Sequence, residues 1–552
     1  MKTPMRSCKY FFGLALAVSL AAQSDPFFPK PSYFKKHFSN PATRVELQPP
    51  VRLSDFIAGG TLELTLRNYI DLVMANNPDI SIQKLTVEFN RNAITRAFGV
   101  FDPFASASFA ATRTRTPSNS LLAGAATLNS LVQPFSMQFQ QTLESGTQYS
   151  ILFNDLRSSS NSAFSTFNPQ LNSSLNFSFS QPLLRNRGMY VTRLPISIAR
   201  SRLRAADYNF QDQLIQLISA AENAYWDVVG ARETLRVQEE SLKLADAALT
   251  RAQKELELGA TSPLEIYQPQ ANKANAELGV SQARYRLAET EDALRRQMGA
   301  DLDPKVRTLP IVLTATLEPP ITPPRIDPED AIATALRLRP DLKTVVQSMD
   351  ADDLSIRQSS NNLRPDLSLT AQYGSSGLGG IFYPGTNLLN PGAPVLPIVG
   401  GLGDALGSVF GFSNPVYGFG LTLRLPIKDR RTAADLADAV NQKRLDALKQ
   451  RSTEENIRLQ VVTAVNLLES SKEGIRIATV ARDLAQKRVD ADQKRYELGA
   501  TTLFFVLASQ ADYVAAESNL VNQIINYRRN ELNLLQRTGQ LLEERGIVLQ
   551  QP

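Results

Sequence analysis

The chain has 552 residues, 43% of them hydrophobic and 20% charged, with one histidine, His37, and one cysteine, Cys8. That inventory leaves no His/Cys metal cluster and no disulfide, and no phosphate loop of the Walker type occurs, so composition argues against an enzyme and implies no cofactor. The net charge of +5 includes Lys2, Arg6 and Lys9, so the chain without its leader carries about +2 and implies no nucleic-acid partner.

In chain order, those three basic residues precede an apolar run from Tyr10 to Ala22, with Ser19 and Ala21 placed for cleavage. This predicts a signal peptide over 1–21, since the run falls short of the roughly 20 residues of a membrane-spanning helix. Met5, Arg6 and Ser7 before Cys8 do not make a lipoprotein box. No later run spans a bilayer either: 396–412 holds Pro397, several glycines and Asp404, which predicts a loop. Entry into a membrane must then be as a closed β-barrel.

A segment over 22–60 leads into two copies of one plan, over 61–300 and 327–540, with a Pro-rich linker over 301–326 and a tail over 541–552. Glu257-Leu258-Gly259-Ala260-Thr261 recurs as Glu497-Leu498-Gly499-Ala500-Thr501, and at the same offset Gln270, Ala276, Leu294 and Gly299 match Gln510, Ala516, Leu534 and Gly539. Each copy opens with a helix, over 61–98 and 327–361, and Pro103 and Pro365 then start alternating strands. In the second copy Tyr417, Phe419, Leu421 and Leu423 alternate with Gly418, Gly420, Thr422 and Arg424. Stretches 114–134 and 375–415 predict long loops. An added hairpin, 136–143 and 148–156, turns at Ser145-Gly146 and is expected at or beyond the outer rim of a barrel.

Long helices follow, over 191–258 and 431–498, each on the order of 100 Å at 1.5 Å per residue. Leu214, Ile218, Ala221, Tyr225, Val228, Leu235 and Leu242 keep steps of four and three, the spacing of a left-handed supercoil. Each long helix turns at Leu-Gly-Ala-Thr into a shorter one, over 262–298 and 502–538. The short helices recover the length of the long ones only when stacked on an opening helix; 262–298 with 327–361 is one such match. Four strands per chain cannot close a hollow barrel, so several chains must share one.

Over nearly the whole length, from about Leu62 to Gly539, the chain resembles the TolC-like outer membrane efflux proteins. The resemblance rests on Asn77-Pro78, the strand start at Pro103, Gln181-Pro182-Leu183, Ala224-Tyr225-Trp226-Asp227 and the Arg495-Tyr496-Glu497-Leu498-Gly499 turn, in order and twice over. It implies an α+β membrane protein: a homotrimer in which four strands per chain make a 12-stranded β-barrel in outer-membrane lipid, continuous with a periplasmic α-helical coiled-coil barrel. It further implies docking to a periplasmic adaptor that joins the duct to an inner-membrane RND, ABC or MFS transporter. The docking tips would be Leu258, Gly259, Ala260 and Thr261, with Leu498, Gly499, Ala500 and Thr501.

Entrance candidates are Glu265, Gln268, Tyr496, Phe505 and Ala508. Some relatives carry aspartates where Phe505 and Ala508 stand, and Phe505 predicts an apolar constriction in their place; packing of Phe504 and Phe505 between helices is the competing account. A periplasmic coiled-coil adaptor or scaffold is the alternative to a duct, but it would carry one hairpin where this chain has two.

Overall fold

Proline and its neighbours punctuate the chain. The computed structural model describes residues 57–58, 60–118, 125–162, 165–259, 262–299, 309–315, 326–384 and 396–547. The leader, His37, Ala260, Thr261, most of the linker and the end of the tail lie outside them. Strands β1 (Ile57–Ala58) and β2 (Thr61–Leu64) pair antiparallel. Helix α1 (Leu66–Asn76) ends where Asn77 caps α2 (Pro78–Phe98), its side chain accepting from the Asp79 N–H at 2.8 Å, and Pro78 fills a first-turn position that has no N–H to satisfy. Pro103 then admits β3 (Phe104–Phe109), followed by β4 (Thr112–Pro117), β5 (Thr127–Thr142), β6 (Gln148–Ser160) and β7 (Phe167–Pro182).

Helix α3 (Leu194–Glu257) is the first long rod; after a single 3-10 turn, Pro263–Ile266, helix α4 (Tyr267–Gln297) returns along it. Strand β8 (Ile311–Leu313) pairs parallel with β2, so a three-stranded belt forms where the linker was expected. The second copy repeats the order: α5 (Pro328–Leu338), α6 (Pro340–Asn362), β9 (Asp366–Phe382), α7 (Leu402–Phe410), β10 (Pro415–Arg424), α8 (Arg430–Glu497) and α9 (Leu503–Thr538).

Leu214, Ile218, Ala221, Tyr225 and Val228 on α3 are buried, as their spacing predicts, together with Leu62, Leu64 and Ile311 of the belt. Tyr225 and Trp226 pack in this core, and the Tyr225 hydroxyl donates to Leu64 O at 3.4 Å. End-to-end stacking occurs, but within a copy. Asn77 Nδ2 donates to Gln297 O at 3.1 Å, so α4 abuts the α1–α2 junction, and a Cβ on Gly539 at the end of α9 would lie 3.3 Å from Arg339 N between α5 and α6. The expected match of 262–298 with 327–361 is therefore corrected; the two opening helices are nearly equal in length, so length could not choose between them.

The main sheet corrects the strand count. Its order is β10-β9-β7-β6-β5, with β3 and β4 following one another along the far edge of β5, so each chain supplies six strand positions, not four. β3 and β4 are one strand interrupted at Ala110–Ala111, opposite Pro134, which has no N–H to give the ladder. The loop expected over 114–134 is thus strand over 114–117 and 127–134. The 375–415 stretch holds the end of β9 and all of α7, whose buried Ala405 and Val409 lie against β9. A Cβ on Gly377 would fall 2.0 Å from Ala405 O, so this approach needs glycine.

One carboxylate pair, the half-buried Asp352 of α6 and the buried Asp446 of α8, lies between these helices. Burial first, then Asp446 and Asp353, pushes the Asp352 carboxyl up to about 6, whereas Asp446, despite its own burial, is held below its ordinary range by Lys449 and Gln442. The folded chain thus binds the Asp352 proton more tightly than the unfolded one, and stability falls as pH rises from the ordinary carboxylate range through about 6. Asp352→Asn is expected to raise the melting midpoint at pH 7.5 by about 1–2 °C and to leave it unchanged at pH 4, read by circular dichroism against temperature.

Candidate functional site

The sheet has two chemically distinct faces because alternation holds in register over its half nearer the rods; farther out, Arg113 and Arg115 of β4 and Asp155 and Arg157 of β6 fall in the phase of the apolar rows. One row joins Tyr417, Tyr373, Phe177, Ile151, Phe139 and Ala105, and the next apolar row joins Leu175, Phe153, Met137 and Ala107. Phe419 on this face is 90% exposed and its strand neighbours Tyr417 and Leu421 are exposed as well. The other face carries Ser150, Ser178, Thr370 and Gln372, and it is concave, enclosing a cavity of about 890 Å³ near the helical end. Ser150 and Ser178 share a hydrogen bond across β6 and β7 at 2.6 Å. Helix α7 lies on the apolar face, where Phe412 stacks on Tyr373 at 5.6 Å and Phe410 on Phe153 at 6.4 Å.

At the opposite end of the rods are the two turns. Gly499 at φ +72 ends α8: its N–H donates to Tyr496 O at 3.0 Å and the Ala500 N–H to Arg495 O at 2.8 Å, two bonds that close the helix around a left-handed residue. Gly259, also at φ +72, donates to Leu256 O at 2.9 Å, which repeats the first of them. Leu258 and Leu498 are left 83% and 84% exposed at the tips. Thr501 follows, half-buried, before the short return into α9.

The entrance candidates separate. Glu265 and Gln268 are exposed, and Gln268 Nε2 reaches Asn272 Oδ1 at 3.3 Å. Phe505 is 52% exposed and meets Phe504 edge-on at 5.6 Å, so within the subunit neither ring is packed between helices, while Ala508 is half-buried. Tyr496 alone joins the two hairpins. Its hydroxyl donates to Glu255 Oε2 on α3, Arg251 stacks on its ring at 4.7 Å, and Arg251 also pairs with Glu255 at 3.1 Å and with Glu497 at 3.9 Å. Burial and then the Glu255 bond push the Tyr496 phenol up to about 12, so it remains a donor at any physiological pH.

Sequence reading missed Arg251 and Glu255. The signal was present in the repeat itself, since at the 240 offset Arg251, Glu255 and Leu256 stand opposite Ala491, Arg495 and Tyr496, three mismatches inside the best-matched stretch. Among the described residues no cluster of side chains could hold a metal, and no helix is long and apolar enough to cross a membrane.

A model of the outer membrane efflux protein family matches residues 152–300 and 331–540, most of the chain. The chain belongs to that family. It is accordingly an outer-membrane protein of a family of efflux channels, with its helices extending into the periplasm. The outer membrane efflux protein BepC of Brucella suis is 22% identical over 352 residues, covering 64% of this chain and 69% of the relative. Two solved structures share the fold: the CmeC outer membrane channel of Campylobacter jejuni, at 15% identity and a TM-score of 0.61 with 88% of this chain and 87% of that one covered, and the outer membrane protein VceC of Vibrio cholerae, at 13% and 0.59 with 86% and 96% covered.

Proposed function

We propose that three copies of this efflux-family chain assemble into a passive export duct, which receives cargo from an inner-membrane RND, ABC or MFS transporter through a periplasmic adaptor in a tripartite efflux or type I secretion system. The observation that carries this reading is the split sheet, mostly apolar on its convex face and polar on its concave face, with two free edges. β3 runs away from the rods and β10 runs toward them, so the edges of neighbouring copies meet antiparallel and a ring can close. The exposed Leu445, Leu448 and Leu459 on α8 call for neighbours in the same way. An adaptor or scaffold would have no use for such a wall.

Fractionation tests the reading: the protein is expected in the outer membrane and, from detergent, as a trimer that collapses to monomer only on heating. A detergent-free soluble monomer would end it.

In this duct the Tyr496–Glu255–Arg251 cluster is a latch that ties the two hairpins of each subunit near the entrance, with the tips at Leu258 to Thr261 and Leu498 to Thr501 as the adaptor contacts. Phe505 lies just inside and narrows the closed entrance. Tyr496→Phe removes the donor to Glu255 and leaves that carboxylate to Arg251 alone, costing about 1–3 kcal/mol per subunit. Single-channel conductance in a planar bilayer is expected to rise severalfold; an unchanged closed level would remove the latch.

A further inference from the structure

The hairpin β5–β6 is inserted in the middle of the sheet, between β3/β4 and β7, and its pairing is continuous on both sides, from Ser130↔Ser160 to Thr142↔Gln148 and from Gln148↔Ser180 to Ser158↔Gln170. At 16 and 13 residues both strands exceed the roughly 9–11 that cross a bilayer as tilted barrel strands. A hairpin standing beyond the rim or folded into the bore would have no reason to continue the pattern of the wall. This one does: Phe139, Met137, Tyr149, Ile151 and Phe153 fall on the apolar face in line with Phe177 and Tyr373, while Gln138, Gln140, Gln148 and Ser150 fall on the polar one.

Its turn is fastened at the junction of sheet and rods. Gly146 at φ +87 lies so close to the chain that a Cβ would come 2.6 Å from Asn186 O. Thr147 Oγ1 donates to Gln181, Gln141 Nε2 donates to Phe101 O at 3.0 Å, and Arg193 pairs with Glu144. The hairpin therefore stands the full height of the wall, with its turn at the periplasmic end and not at the outer rim.

We propose that each subunit builds six strands into the barrel, so that the trimer closes an 18-stranded barrel with a wide bore. This rests on the trimeric duct reading. Barrel diameter grows roughly linearly with strand number, so the bore is about 1.5 times as wide as that of a 12-stranded ring, in the range where barrels leave open aqueous channels. The lining is amide and hydroxyl except at its periplasmic end, where Arg424 and Asp366 face each other across β10 and β9 at 3.8 Å and offset one another's charge, as suits hydrated neutral cargo. Selection by size then falls to the helical entrance, because the barrel no longer constricts.

Tryptophan scanning tests this in the full chain, with Trp226→Phe as background because Trp226 is the only tryptophan. Phe139→Trp, Ile151→Trp, Phe419→Trp and Gln138→Trp proteins are reconstituted in bilayers whose acyl chains carry bromine. Positions 139 and 151 are expected to be quenched as strongly as 419, with 138 spared. Quenching at 419 but not at 139 and 151 overturns the six-strand wall and leaves the duct intact; no quenching at 419 sinks the duct reading itself. As a second measurement, end-on electron-microscope averages of trimers lacking 127–160 are expected to show a ring about two-thirds as wide as the intact one. Equal widths would also overturn the proposal.

Discussion

Phe419→Arg is expected to empty the outer membrane of assembled protein, whereas Gln372→Arg, in the neighbouring row of the adjacent strand, leaves the trimer in place and makes the channel prefer anions. Phe419 pairs with Ala371 and Gln372 with Gly418, so the two positions stand one residue apart in register and differ chiefly in the face they take. Arginine on the lipid face near the bilayer centre costs about 2–4 kcal/mol, and trimer symmetry triples it. That total is comparable to the whole stability of many folded domains. On the concave face the same side chain meets water and the amides of its row. Heat-modified gel migration of membrane fractions reads the first effect and reversal potential in a salt gradient reads the second. The opposite pattern, with Gln372→Arg lost and Phe419→Arg assembled, would invert the assignment of lipid and lumen.

The alternation behind this prediction was legible in the sequence where residues were strictly apolar or strictly polar, as from Tyr417 to Arg424. Proline made the boundaries legible too: Pro103 and Pro365 fall one residue before β3 and β9, and Pro78 and Pro340 open α2 and α6. What failed was the inference from loop-like composition. Residues 127–134 are Thr, Leu, Asn, Ser, Leu, Val, Gln and Pro, and nothing local marks them as wall; their strand state comes from pairing with β4 and β6, which are distant in sequence or equally bland. α7 was hidden for a related reason, because its glycines suggest a loop whereas the face it packs on is another stretch of glycines in β9.

The latch was unreadable for the opposite reason. The repeat drew attention to residues that match, yet a contact between the two copies is asymmetric and falls where they differ, at Arg251, Glu255 and Tyr496. The matched residues at the tips, by contrast, were legible because the left-handed turn makes the same demand in both copies, and Gly259 and Gly499 share the same φ of +72.

Those tips carry the other large effect. The double substitution Leu258→Asp, Leu498→Asp is expected to abolish export while leaving trimer, barrel and conductance unaltered. Both leucines point away from their own subunit, and each heads a cluster of exposed apolar side chains: Leu264 and Tyr267 beside the first turn, Phe504 and Phe505 beside the second. Closing the turn on glycine leaves the preceding leucine at the apex with no neighbour to bury it, so only a partner can remove it from water. A trimer presents six such apices. An aspartate at each must be desolvated for the same contact to form, and a loss of about 2 kcal/mol at each apex is enough to abolish a multivalent dock. Gly499→Ala alone should act more weakly, since it strains the turn by about 1–2 kcal/mol without changing what the apex displays. Complementation of a strain lacking the chain, with crosslinking in whole cells to follow the adaptor, separates the two variants. Full complementation by the double aspartate protein would mean that the tips touch nothing and that docking, if it occurs, lies higher on the rods.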